Sequence, residues 1–233
     1  EEAILPWCAG HGVGTIVYGF SFLVNGPLTD RFGGRWSILA GAAGAALANV
    51  LMGLVTWSLL AQGFGADFFF RHFVAVFSTL YALNMYFQSF GAVAIVKVNA
   101  SWFHVRERGV FGAIFGILIS LGLYFAYDPG RIILRYLGLV WVFLIPAALL
   151  LFFWVLDLLI ERDRPGDAGF ADFATGDATS GETGPPLGAA RVFAMMARNP
   201  IIMTIAVIEF CSGFLRQAIM QWYRTFAKQT DAA

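Results

Sequence analysis

Six stretches of this chain are apolar over about 20 residues or more, the length a helix needs to cross the hydrocarbon core of a bilayer. They run roughly 3–25, 37–61, 73–96, 109–127, 132–156 and 200–222. In lipid the backbone has no hydrogen-bond partner but itself, so each stretch is expected to be helical. Composition agrees. The chain is 59% hydrophobic and 13% charged, whereas soluble domains lie near half apolar and a quarter charged. A soluble fold of 233 residues could not bury 24 Phe and the accompanying aliphatic side chains. The expected fold is an all-α membrane protein, a polytopic helical bundle.

Other classes find little support. The formal net charge is zero, so nothing draws nucleic acid. Cys8 and Cys211 both sit in apolar stretches and read as small buried side chains. The sequence has no HExxH, GxSxG or P-loop and no paired carboxylates within a span, which argues against an enzyme, a metal site or a bound cofactor. The chain opens at Glu1-Glu2 and runs straight into an apolar stretch, so a missing N-terminal segment is expected.

Lys and Arg set the orientation. The segments 26–36, 97–108 and 157–199 carry nine of them: Arg31, Arg35, Lys97, Arg106, Arg108, Arg162, Arg164, Arg191 and Arg198. The opposite side carries five: Arg71, Arg131, Arg135, Arg224 and Lys228. Positive residues favour the cytoplasm, so the first three segments are expected there and both chain ends outside.

Residues 162–199 differ from the rest. They are rich in Gly, Ala, Asp, Thr and Pro, with an acidic centre from Asp167 to Glu182 and Pro185-Pro186. That composition predicts a flexible hydrophilic linker. It leaves a bundle at 1–161, a linker at 162–199 and a lone helix in 200–233, which reads as the opening helix of a second bundle.

Between the first two spans lies Gly26-Pro27-Leu28-Thr29-Asp30-Arg31-Phe32-Gly33-Gly34-Arg35. The glycines permit tight backbone geometry. Asp30 suits a helix N-terminus or a neighbouring Arg. By itself the segment is also a charged turn obeying the positive-inside rule. It resembles the signature G-x-L-x-D-R-x-G-x-R loop of the major facilitator superfamily. That resemblance implies a loop between family helices two and three, latching the cytoplasmic side through a charge network of Asp30, Arg31, Arg35, Arg106 and Arg108. It also implies six transmembrane spans of an expected twelve, helices two to seven, with 162–199 as the central loop.

A narrower resemblance is to the organophosphate:phosphate antiporter group, which includes bacterial glycerol-3-phosphate and hexose-phosphate transporters. Its carriers are Tyr18-Gly19-Phe20-Ser21, Phe87-Gln88, Trp102-Phe103, Arg106-Glu107-Arg108-Gly109, the run Arg162 to Gly169, and Leu215-Arg216 followed by Trp222. The sequence also departs from that group. Phe22 stands where glycerol-3-phosphate carriers have Lys, and Ile119 where they have His. The group's other phosphate Arg would lie in the missing first helix.

Polar residues inside spans cost free energy unless partnered. Helical spacing puts His11, Thr15, Tyr18, Phe22 and Asn25 on one face of the first span. Tyr81, Asn84 and Gln88 share a face of the third, and Glu209, Ser212, Arg216 and Tyr223 one of the sixth. These faces are expected to line a bundle interior or a water-filled cavity. Asn84 and Gln88 fit helix–helix glue equally well, Tyr18 fits packing, and His11 lies near the outer end. Glu209 sits about 10 Å along the axis from Arg216, too far for direct contact. Arg216 fits either an anionic substrate, whose oxygens its planar fork matches, or a structural ion pair. Gly10/Gly14 and Gly112/Gly116 have the spacing for close helix approach.

The expected function is secondary active transport of a small organic anion, a phosphate ester by resemblance, across the cytoplasmic membrane. Arg216, Tyr18, Gln88 and Asn84 would touch substrate; Glu209 and His11 are candidates for proton coupling. The alternatives are a non-transporting sensor on the same fold and a proton-coupled carboxylate or sugar transporter. The expected partners are the solute and the bilayer, and the expected state is a monomer.

Overall fold

The computed structural model describes residues 4–172, 174–176 and 189–231. Among them the regular structure is helical and contains no strand. The helices are α1 (Ile4–Phe32), α2 (Gly34–Ala61), a short α3 (Ala66–Arg71), α4 (Phe73–Trp102), α5 (Arg108–Tyr136), α6 (Leu139–Ile160), α7 (Ala189–Arg198) and α8 (Pro200–Asp231), with a 3-10 turn at Pro165–Ala168. Five of them are long and apolar enough to cross a membrane: α2, α4, α5, α6 and α8 over Pro200–Met220. The sixth expected span is α1, 29 residues long. The chain is thus a multi-pass helical membrane protein.

Helix ends differ from the sequence expectation in three places, each for a local reason. Segment 26–36 is not a loop. α1 continues through Pro27 to Phe32, and a single residue, Gly33 at φ +91°, separates it from α2. A side chain is strained at that φ, so the signature segment tolerates Gly there. Residues 132–136 belong to α5, which runs on through Pro129; the break before α6 falls at Gly138, φ +94°. The last stretch of the expected linker, Ala189–Arg198, is the helix α7. Pro185-Pro186 and the acidic run beyond Gly176 lie outside the described residues.

The chain divides into two compact units, Glu1–Thr179 and Ser180–Ala233. In the first, α4 packs between α1 and α2, and α2 packs on α6. These interfaces are built from small residues. α2 buries Gly34, Ser37, Gly41, Ala45, Ala46, Ala48 and Gly53. A Cβ on Gly41 would lie 2.8 Å from the Phe87 carbonyl oxygen, and one on Gly53 2.8 Å from Leu144. Buried polar groups join the same helices. The Asn25 amide of α1 donates to Ser89 Oγ (2.6 Å) and to the Tyr86 carbonyl (3.2 Å) of α4. Trp154 Nε1 of α6 donates to the Leu39 carbonyl of α2 at 2.9 Å. α5 touches α6 lightly, and none of its spanning window is buried.

The second unit holds α7 and α8. Asn199 separates them, and its side-chain oxygen accepts from the Ile201 N–H (3.0 Å) and the Ile202 N–H (3.4 Å). That is an N-cap for α8, with Pro200 in the first helical turn where its missing N–H costs nothing.

Candidate functional site

Segments 26–36, 97–108 and the part of the third that belongs to the first unit, 157–176, come together at one end of that unit. They form two clamps around the single-residue turn at Gly33. In the first, Lys97 of α4 reaches the C-terminal end of α1. Its Nζ donates to the Thr29 carbonyl at 2.9 Å and pairs with Asp30 at 3.2 Å. A cation suits that helix end, because unsatisfied carbonyls concentrate negative charge there.

The second clamp holds the start of α2. Its own N-cap residue, Gly33, has no side chain to offer. Asp163, just beyond α6, takes over: one carboxylate oxygen accepts the Arg35 backbone N–H at 2.7 Å. The carboxylate lies so close that a Cβ on Gly33 would stand 2.8 Å from it, and one on Gly34 3.0 Å. Both glycines therefore make room for a distant cap. The Arg35 guanidinium extends along α6 and donates from Nη2 to the Leu158 carbonyl at 2.5 Å. The adjoining segment folds back as well. Trp102 Nε1 donates to the Arg162 carbonyl at 2.9 Å, and the Val105 N–H to the Thr175 carbonyl at 2.9 Å.

Between the elements of this second clamp lies Glu161, at the C-terminal end of α6. Burial, reinforced by the charges of Asp157 and Asp163 and opposed by Arg35, pushes its carboxyl up from 4.5 to about 7. Its Oε2 and the Arg35 Nε are both buried without a hydrogen-bond partner.

The sequence-expected latch residues are distributed differently from expectation. Asp30 lies beside the C-terminal part of α4, where it pairs with Lys97, not with Arg106 or Arg108. Arg108 reaches back to the end of α4, donating from Nη2 to the Ala100 carbonyl (2.7 Å) and from Nε to the Phe103 carbonyl (3.3 Å). Arg106 is exposed, its backbone N–H directed at His104 Nδ1 (3.3 Å). Arg31 is exposed in the last turn of α1. Lys97 and Asp163 were not among the residues expected at these contacts. The available signal was their position, within about one and a half turns of a helix end on the Arg-rich side.

Midway along the helices, Asn84 is buried. Its amide donates to the Ala45 carbonyl of α2 at 3.0 Å and approaches Asn49 Oδ1 at 3.4 Å. Gln88, one turn on, donates to Asn84 Oδ1. Two cavities open beside this chain of amides. One, of about 530 Å³, lies between α2, α4 and α6 and reaches from Asn49 and Gln88 to Asp157. The other, of about 340 Å³, lies among α2, α4, α5 and α6 and is lined by Asn49, Asn84 and Gln88. Tyr18 is half-buried in α1, its ring edge-on to Phe22 at 5.0 Å. The face of α1 expected to line a cavity turns into α4 at Asn25. His11 is within α1, but its side chain lies outside the described residues. Glu209 and Arg216 are exposed on α8 in the second unit. Among the described residues no cluster of His, Cys, Asp and Glu is arranged to hold a metal.

Comparison with known proteins adds relatives to this geometry. The sequence pattern of the Major Facilitator Superfamily matches residues 10–232. The chain is 24% identical over 229 residues to the protein named "Putative glycerol-3-phosphate transporter 3" of Arabidopsis thaliana, covering 92% of this chain and 42% of that one. It is 30% identical over 107 residues to the membrane sensor protein UhpC of Salmonella typhimurium, covering 46% and 21%. It is 26% identical over 163 residues to the glycerol-3-phosphate transporter of Bacillus subtilis, covering 66% and 32%. The chain therefore spans less than half the length of these relatives. No solved structure matches it.

Proposed function

This chain belongs to the Major Facilitator Superfamily, and from that premise we propose that the protein carrying it is a secondary active transporter for a small organic anion. The solute class is a phosphate ester, and the route is alternating access across the cytoplasmic membrane. The observation that carries the reading is the likeness to a protein named for glycerol-3-phosphate along 92% of the chain. Residues 1–161 form the N-terminal bundle and 200–233 contribute the first helix of the C-terminal bundle. Arg216 grips the anion, because a guanidinium presents two parallel donors to two oxygens. Tyr18 and Gln88 contact solute from the first bundle. Asn84 contributes through Gln88, since its own amide is bonded to α2. Asp30, Arg31, Arg35, Arg106 and Arg108 hold the cytoplasmic gate, and Glu209 and His11 are the candidates for ion coupling. The transporter works as a monomer.

A second reading has its own support: one relative is named a membrane sensor protein. On that reading the protein binds the solute and signals without moving it. Reconstitution separates the two. The full-length protein, in vesicles loaded with inorganic phosphate, should exchange it for external radiolabelled glycerol 3-phosphate. Binding in detergent without vesicle uptake would establish the sensor instead. Absence of both for phosphate esters, with uptake of a carboxylate or sugar on imposing a proton gradient, would replace the solute class.

Two variants test the residues. Arg216→Lys should weaken glycerol 3-phosphate binding tenfold or more, equivalent to about 1.4 kcal/mol; wild-type binding by both Arg216→Lys and Arg216→Ala would remove Arg216 from the site. Asp30→Asn should reduce uptake with the protein still in the membrane, and unchanged kinetics would remove it from the gate.

A further inference from the structure

The second unit contains a helix that neither the transport reading nor the family signature uses. α7, Ala189–Arg198, is one residue away from α8, a helix long and apolar enough to span. At 100° per residue, Val192, Phe193 and Met196 fall within a sector of about 100°. Arg191 and Arg198 point about 150–170° away from the middle of that sector. Val192, Phe193 and Met196 are all exposed, Phe193 at 59%, and both arginines are exposed. Ten residues make a helix about 15 Å long, too short to cross a bilayer and sharply two-faced.

Three observations indicate what covers the apolar face. Asn199 caps α8 through the Ile201 and Ile202 N–H groups, so the end of α7 is held at the level where α8 enters the membrane. The Lys and Arg distribution puts that end on the cytoplasmic side, whose leaflet is rich in anionic lipid. The polar face carries two arginines and no acidic residue, which complements such a surface. Apolar side chains opposite basic ones, beside a span, are the signature of a helix lying in the interface.

We propose that α7 is an interfacial helix that lies in the cytoplasmic leaflet, with Val192, Phe193 and Met196 among the acyl chains and Arg191 and Arg198 on anionic headgroups. The assignment rests on α8 being a span, and not on what the protein transports. It also gives the arm between the bundles a fixed anchor on the membrane, against which a rocking motion would pull.

Spin labels in the full-length protein, with Cys8 and Cys211 first replaced by Ser, test it. Labels are introduced by Phe193→Cys, Met196→Cys, Ala194→Cys and, as a reference inside α8, Ile208→Cys. The protein is reconstituted in phosphatidylcholine vesicles with and without phosphatidylglycerol. Collision rates with oxygen, which concentrates in lipid, and with a water-soluble nickel chelate are compared. At 193 and 196 the oxygen-to-nickel ratio should exceed that at 194 about tenfold. It should rise with phosphatidylglycerol, and Arg191→Gln with Arg198→Gln should abolish the rise. Shelter from both probes at 193 and 196 would mean packing on protein, and nickel access equal to that at 194 would mean hydration; either overturns the proposal. A ratio indifferent to phosphatidylglycerol would overturn the headgroup assignment. Nickel access at 208 would show that α8 is no span, and the proposal would fall with it.

Discussion

α2 and α5 are both long, apolar and rich in glycine, yet the molecule treats them oppositely. α2 is half buried across its spanning window and α5 not at all. Gly41 and Gly53 of α2 stand against neighbouring atoms, and Gly44 would collide with the Phe87 ring if it had a Cβ. Gly112 and Gly116 of α5, which have the same suggestive spacing, have nothing within 4 Å of where a Cβ would be. Gly14 of the other such pair does sit against Tyr81. Hydrophobicity therefore says that a helix belongs in lipid, and close small-residue contacts say which helix another one needs. In a membrane that is expected, since lipid is as apolar as a Leu side chain and packing must supply the selectivity.

The largest test of this contrast is steric. Gly41→Leu should lower stability in detergent by about 1–3 kcal/mol, the usual penalty for overpacking, while Gly116→Leu in the same chain should shift it by about 0.5 kcal/mol or less. Thermal melts followed by circular dichroism would compare them. Equal effects would erase the distinction between the two helices.

A smaller effect concerns how α2 is held at its start. Asp163→Ala removes the borrowed cap from the Arg35 N–H, and should cost about 1 kcal/mol, as lost N-caps generally do. No change would mean that the Arg35–Leu158 bond suffices.

Glu161 sharpens the same clamp by pH. Burial and the adjacent carboxylates raise it to about 7 from 4.5, so between those values the folded chain holds a proton that the unfolded chain has released. Stability tied to this group is greatest below about pH 4.5, falls as pH rises, and levels off above about 7. Glu161→Gln should therefore leave the melting temperature unchanged at pH 4.5 and raise it modestly at pH 8. A rise of equal size at both pH values would assign the effect to something other than ionisation. The smallest effect is expected from Lys97→Met, because the Lys97–Asp30 pair is partly exposed and such pairs contribute about 0–1 kcal/mol. Titrating salt should reproduce most of that loss in the parent chain.

Much of this was legible in the sequence. Apolar length alone predicts helices and their membrane setting, because the requirement to satisfy the backbone in lipid leaves no other local solution. Lys and Arg counts predict which loops share a side, and the clamps around Gly33 do join segments 26–36, 97–108 and 157–176. The glycines of the signature segment announce a tight turn.

Partnership was not legible. Asn84 reads equally as cavity lining and as glue until the Ala45 carbonyl is seen 3.0 Å away. Asp163 reads as one residue of a hydrophilic linker, yet it caps a helix that begins 129 positions earlier, at Gly34. Gly14 and Gly116, each from a pair of the same spacing, are indistinguishable in one dimension and opposite in three. The physical reason is common to all three cases. Lipid constrains each helix separately and through its own composition, so that part is written locally. Which donor meets which acceptor, and which small residue admits which neighbour, depends on surfaces brought together from distant parts of the chain, and only the packed bundle decides it.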